Sequence, residues 1–125
     1  MSDTTSLDRH RYLSLATCRR DGTEVRTPVW FAEVDGLLYV FTTRDAGKVK
    51  RLRNSSRARV AACDVRGRVE GGWQEATARV VTDERAIQRA RAAFAAKYGW
   101  RLWLLDLGSR LSGRIHRRAW LEIAL

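Results

Sequence analysis

The stretch Phe41–Arg59 gathers the groups in this sequence best suited to hold an anion. A hydrophobic segment ends in Thr42 and Thr43, and Arg44, Lys48, Lys50, Arg51 and Arg53 follow closely. Hydroxyls at a strand end, free amides at a helix start and nearby cations together grip a phosphate or a carboxylate. Lys48 falls in the first turn of the helix expected here, where a positive charge opposes the helix dipole. That placement costs about 0.3–1 kcal/mol unless an anion neutralises it. The plain alternative is a solvated basic helix face that binds nothing.

Other catalytic constellations are missing. The sequence holds no GxSxG elbow, no P-loop and no GxGxxG dinucleotide motif. Asp83 and Glu84 stand at an expected helix start, where acids act as caps. Neither His10 nor His116 has an evident acidic partner. Cys18 and Cys63 lack the neighbours of a zinc site and read as free thiols, so no metal is expected. If the chain is an enzyme, a bound cofactor must supply the chemistry, and no side chain is assigned a catalytic role.

The chain has 125 residues, one domain's worth, and a formal net charge of +10. The charge is uneven: residues 1–43 carry −1, residues 44–71 carry +6 and residues 72–125 carry +5. The surplus therefore begins at Arg44 and favours an anionic ligand. Nucleic acid matches the sign, but no helix-turn-helix or RNP-type signature is present, and it is not expected as a partner. No apolar run is long enough to span a membrane. The polar start MSDTTSLDRH is no secretory signal, so a cytoplasmic location is expected.

Alternation and turn signals predict the elements that must position these groups. Tyr12–Arg19, Glu24–Val34 and Leu37–Thr43 read as three strands joined at Asp21-Gly22 and Asp35-Gly36. Pro28, inside the second of them, cannot donate to a ladder and marks a sheet edge, a bulge or a place where something else approaches. Asp45–Arg53 reads as a short helix capped by Asp45. Arg57–Val65 and a long Val69–Thr82, with Gly71-Gly72 as the place for a bulge, are the next strands. Asp83–Tyr98 is an amphipathic helix presenting Ile87, Ala90, Phe94 and Ala95, with Thr82 or Asp83 as its cap and Gly99 as its stop. Trp100–Leu111 is a second short helix, and Ile115–Leu125 a sixth strand. Residues 1–10 read as a short helix or an arm. Many antiparallel strands with few helices predict a mainly β, Greek-key barrel.

The ordered set of TPVWF, DGLLYVFTT, a lysine-bearing helix and an ARV strand resembles the pyridoxamine 5'-phosphate oxidase-like, FMN-binding split-barrel superfamily. The whole run from LSLATCRRDG to the closing strand is similar, more narrowly, to its branch of small proteins assigned to the deazaflavin coenzyme F-420. The resemblance implies a homodimeric, six-stranded antiparallel Greek-key split β-barrel. It implies that Arg26 contacts the cofactor phosphate, and that the backbone of Thr27, Pro28, Val29 and Trp30 faces the polar edge of the ring system. Phe41 and Thr42 match the pair ending the third strand, with the hydroxyl on phosphate. Lys48 matches the helix lysine that grips phosphate. Where the oxidases carry a basic residue just before that lysine, this chain has Gly47, and Lys50 or Arg44 is expected to compensate. The oxidases' substrate-phosphate residues have no match here, which argues against pyridoxamine phosphate as substrate.

The function implied is hydride transfer from reduced F-420 to an electron-poor organic acceptor. An FMN-dependent oxidase or reductase, or a non-catalytic F-420 or haem binder, is the alternative. The surplus from Arg44 onward, with Arg114, Arg117 and Arg118, suits the oligoglutamate tail of F-420 better than the single phosphate of FMN. Trp73, Trp100, Trp103 and Trp120 read mostly as core or subunit-interface residues.

Overall fold

The computed structural model describes residues 10–43, 46–112 and 118–125. The expected N-terminal arm, Arg44, the cap at Asp45, and Arg114, His116 and Arg117 lie outside the described residues. Strand β1 (Tyr12–Cys18) pairs with β2 (Glu24–Trp30) around the Asp21-Gly22 turn. Strand β3 (Ala32–Val34) pairs with β4 (Leu37–Thr43) around Asp35-Gly36, where both turn residues adopt positive φ. Strands β5 (Arg57–Cys63), β6 (Gln74–Val81) and β7 (Arg118–Ala124) complete one antiparallel sheet. Among the described residues three helices accompany it: α1 (Gly47–Asn54), α2 (Glu84–Tyr98) and α3 (Trp100–Ser112). No described helix is long and apolar enough to cross a membrane.

The sheet has seven strands rather than six, in the order β2-β1-β5-β6-β7-β4-β3. The expected strand Glu24–Val34 divides at Phe31, and its halves lie at opposite edges of the sheet. One residue can join two edges only if the sheet curls until they meet. The break is therefore the seam of the barrel. At a seam the Phe31 backbone has no ladder partner, and burial would leave its polar groups costly. Tyr98, at the end of α2, supplies the partner. Its hydroxyl accepts from the Phe31 N–H at 3.0 Å and directs its proton between the carbonyls of Phe31 (2.8 Å) and Arg11 (2.7 Å). The Tyr98 ring stacks on Trp30 at 4.3 Å, and the Lys97 ammonium sits 3.6 Å from the centre of the Phe31 ring.

Two cores follow from strand alternation. The inner one fills the barrel with Leu13, Leu15, Leu38, Val40, Val60 and Leu121, all fully buried, and α1 closes one end with Val49 and Leu52. The outer one lies under α2, whose buried stripe is Ala86, Ala90, Phe94 and Tyr98. The sequence pattern placed Ile87 and Ala95 on that face; Ala95 is exposed and Ile87 only partly buried. The helix is turned so that its i, i+4 ridge carries Tyr98 to the seam. Asp83 caps it through the Arg85 N–H, and Gly99 ends it at φ +57, both as expected.

The fifth expected strand is shortened. At Asp64 the chain turns, with the carboxylate accepting from the Arg66 and Arg68 N–H groups and Gly67 at φ +88. A single Cys63–Val69 bridge survives, and regular pairing resumes only at Gln74. Helix α3 turns Leu102 toward the outer core but leaves Trp100, Trp103, Leu104 and Leu107 exposed.

Replacing Tyr98 by Phe keeps the ring and deletes the clasp. Chemical denaturation of Tyr98→Phe should show a loss of about 1–3 kcal/mol, the cost of unpaired buried backbone groups. A loss under about 0.5 kcal/mol, the low end for an ordinary hydrogen bond, would mean that the seam does not depend on this hydroxyl.

Candidate functional site

Helix α1 follows β4 in the chain. The Ala46 N–H, at the cap position, bonds the Thr43 carbonyl at 3.1 Å. Ala46 occupies the cap position and caps with no side chain. Val49 and Leu52 anchor the helix in the barrel, and this fixes where Lys48 and Arg51 lie. Arg51 reaches across to β1, where its Nε donates to the hydroxyl of fully buried Thr17 at 2.5 Å.

Lys48 and Arg51 are an uncompensated pair among the described residues. Lys48 is half-buried, and no described residue hydrogen-bonds or ion-pairs with it. Burial pushes its pKa down, and the neighbouring Arg51 guanidinium adds repulsion. Burial lowers Arg51 too, and the nearby charge acting on it is a third cation, Arg19. Two partly desolvated cations without a described carboxylate are unfavourable as they stand and favourable around an anion. Beside them opens a cavity of about 460 Å³ lined by Cys18, Arg19, Arg20, Gly22, Ser55 and Arg57.

The other expected site residues are spread over both faces of β2 and β4. Thr27 and Val29 face inward, by their register against Leu15 and Leu13. The Thr27 hydroxyl oxygen is buried with no described hydrogen-bond partner. Thr42 also faces inward, opposite Ala119. Arg26, Pro28 and Trp30 face outward. Arg26 is 3.6 Å from Glu24, and its guanidinium lies over the Trp73 ring at 4.9 Å. Arg59 covers the same ring from 5.0 Å and makes two bonds to Glu24, which holds the Glu24 carboxyl below its ordinary range. Arg26 and Arg59 flank buried Ala16 in the register. Thus Arg26 sits on the opposite face of the sheet from the residues around Thr17. Phe41 packs its ring against Phe94 and Trp120, under the Arg118 guanidinium at 4.3 Å. Lys50 is exposed, and Arg44 lies outside the described residues.

Pro28 lies where its chemistry allows. Strand β2 is an edge strand, paired only with β1. The missing donor therefore costs no ladder bond within this chain. Trp30 belongs to the seam through its stack on Tyr98. Sequence reading counted Arg51 among the cations of this segment without singling it out, although the i, i+4 relation to Gly47 puts the two on one helix face. It also missed the pairing of Arg26 and Arg59 on Trp73, which requires three strands in register. Among the thiols, Cys63 is buried, and burial with Asp64 and Glu70 nearby pushes its pKa up to about 11, so it is inert.

The family model of pyridoxamine 5'-phosphate oxidase matches residues 4–125. The chain belongs to the pyridoxamine 5'-phosphate oxidase family. A conserved protein of Mycobacterium tuberculosis shares 21% identity, with a TM-score of 0.71 over 98% of this chain and 79% of that one. The haem storage protein HutZ of Vibrio cholerae shares 12%, with a TM-score of 0.70 over 97% and 86%. An FAD-binding protein of Mesorhizobium loti shares 22%, with a TM-score of 0.62 over 98% and 84%. At such identities these likenesses concern the fold. No curated protein matches the sequence.

The Lys48 shift has a sign that can be checked. Its pKa in the fold lies below the ordinary 10.5. Below the folded value the buried ammonium carries its full cost, which is relieved as pH rises toward 10.5. An anion bound here needs the protonated form. Its affinity should hold at neutral pH and fall as pH rises through the lowered value, before an ordinary lysine would titrate. An affinity flat up to the ordinary lysine range would remove Lys48 from the site.

Proposed function

We propose that this chain is an oxidoreductase that binds reduced coenzyme F-420 and uses it to reduce an electron-poor organic substrate. The observation that carries the reading is the half-buried Lys48 beside Arg51 with no described counter-charge. The buried, unpartnered Thr27 hydroxyl adds an orphan group on the strand expected to meet the ring. Family membership and an FAD-binding relative support a flavin-type ligand. F-420 rather than FMN is favoured by the cations beyond the pair. Arg19, Arg20 and Arg57 line the adjoining cavity and match an anionic tail better than one phosphate.

In this reading Lys48 holds the phosphate group, and the open start of α1 adds backbone amides. Three or four charge-assisted contacts at roughly 1.5–3 kcal/mol each exceed binding entropy enough for micromolar affinity, about −8 kcal/mol. Thr27 offers its hydroxyl to the ligand, and the unpaired edge of β2 at Pro28 leaves room beside the backbone. When bound, the deazaflavin supplies a hydride. The chain's own part is to orient the ligand and exclude water. Arg26, on the outer face, reaches a ligand only if that ligand or a second chain wraps the edge of β2.

The assembly proposed is a homodimer. Trp100, Trp103, Leu104 and Leu107 make an outward apolar stripe on α3 at helical spacing, and a second copy would remove it from water. Trp103→Glu should lower the solution mass from two chains to one in analytical ultracentrifugation. A monomeric wild type would remove the dimer from this account.

Fluorescence titration with F-420 and with FMN tests the function. F-420 should bind at micromolar or tighter concentration, and Lys48→Ala should weaken it roughly tenfold to a hundredfold with the fold intact. Binding of neither ligand refutes the reading. Tighter FMN binding assigns the chain to FMN chemistry, and tight binding without turnover on any acceptor assigns it to storage.

A further inference from the structure

We propose that Arg51 is the second anion-holding cation of the Lys48 site, delivered across the helix start into space that Gly47 leaves open. The inference rests on the ligand reading above and names a residue that reading did not require. A Cβ built on Gly47 would stand 2.7 Å from the Arg51 Nη1. Any side chain at position 47 would therefore displace the guanidinium, which folds back along its own helix to the first turn. Thr17 fixes the arm: its hydroxyl takes the Nε proton at 2.5 Å, and Thr17 is itself fully buried in β1. A guanidinium has five donors, and this bond uses one. No other hydrogen bond of Arg51 is made within the described residues. Its remaining donors lie by the capless start of α1, on the same turn as Lys48. The guanidinium is thus tethered at Nε and open at the fork, the arrangement in which arginine takes two oxygens of a phosphate.

A purely structural arginine predicts something else. A tie between α1 and β1 would be satisfied by the Thr17 bond, would not need position 47 to lack a side chain, and would not need to stand beside another cation.

Three variants separate the readings, measured by fluorescence titration with FMN, with F-420 and with riboflavin, which has the ring but no phosphate. Arg51→Met should weaken FMN and F-420 roughly tenfold or more and leave riboflavin unchanged. Gly47→Ala should weaken the same two ligands several-fold while its thermal midpoint stays level or rises. It retains every charge, adds helix propensity, and has no left-handed φ to violate. Lys48→Ala is the reference for the site itself. If Lys48→Ala weakens binding and Arg51→Met does not, the Arg51 inference falls and the ligand reading stands. If neither variant changes FMN or F-420 affinity, the ligand reading falls with it. If Arg51→Met lowers riboflavin as much as FMN, or lowers only the thermal midpoint, Arg51 is a structural tie and the proposal is overturned.

Discussion

The Tyr98 hydroxyl stands in for a missing strand at the point where the chain crosses from one sheet edge to the other. Everything downstream depends on that substitution. Because β2 and β3 are separated by Phe31 alone, the seam cannot be displaced without unpairing one of them. Because Tyr98 is the last residue of α2, the clasp also fixes the helix against the outer core. Trp30 and Lys97 then pack on either side of the same joint. A barrel closed by side chain to backbone contact, rather than by continuous pairing, retains two unladdered edges. One of them is the strand carrying Thr27 and Pro28.

Most of the fold was legible in the sequence because its signals are local. The two Asp-Gly turns, the Asp83 cap and the Gly99 stop each act within a few residues, and each stands where the chain predicts. The break at Phe31 was not legible. No turn signal interrupts EVRTPVWFAEV at that point, and only the closure of the whole sheet demands a change of edge there. The overlong fifth strand failed for a related reason: Val69 does touch Cys63, but the Asp64 turn and the glycines at 71 and 72 interrupt the ladder. The shift of the α2 stripe toward Tyr98 likewise reflects a tertiary bond that periodicity cannot register.

The site was legible in kind and less so in its members. Basic residues after a threonine-ended strand led to the expectation of an anion, and Lys48 stands half-buried on the helix that follows. The residue expected to compensate for Gly47 was Lys50 or Arg44. The structure sets the Arg51 guanidinium beside Gly47, because i, i+4 neighbours share a helix face and the missing side chain makes room. Arg26 was placed by chain order on the correct strand, but strand parity turns it outward to Trp73 and Glu24, away from Thr17. Such parity is fixed by register, and register is set by which residues must fill the barrel.

Pro28 has one more consequence. An open strand edge is a template on which another unfolded or half-folded chain can zip itself, the first step toward fibrils. A proline in the middle of β2 deletes a donor from that template, and the exposed charge of Arg26 two residues away makes close stacking of copies repulsive. The same missing donor keeps the folded protein from seeding its own aggregation.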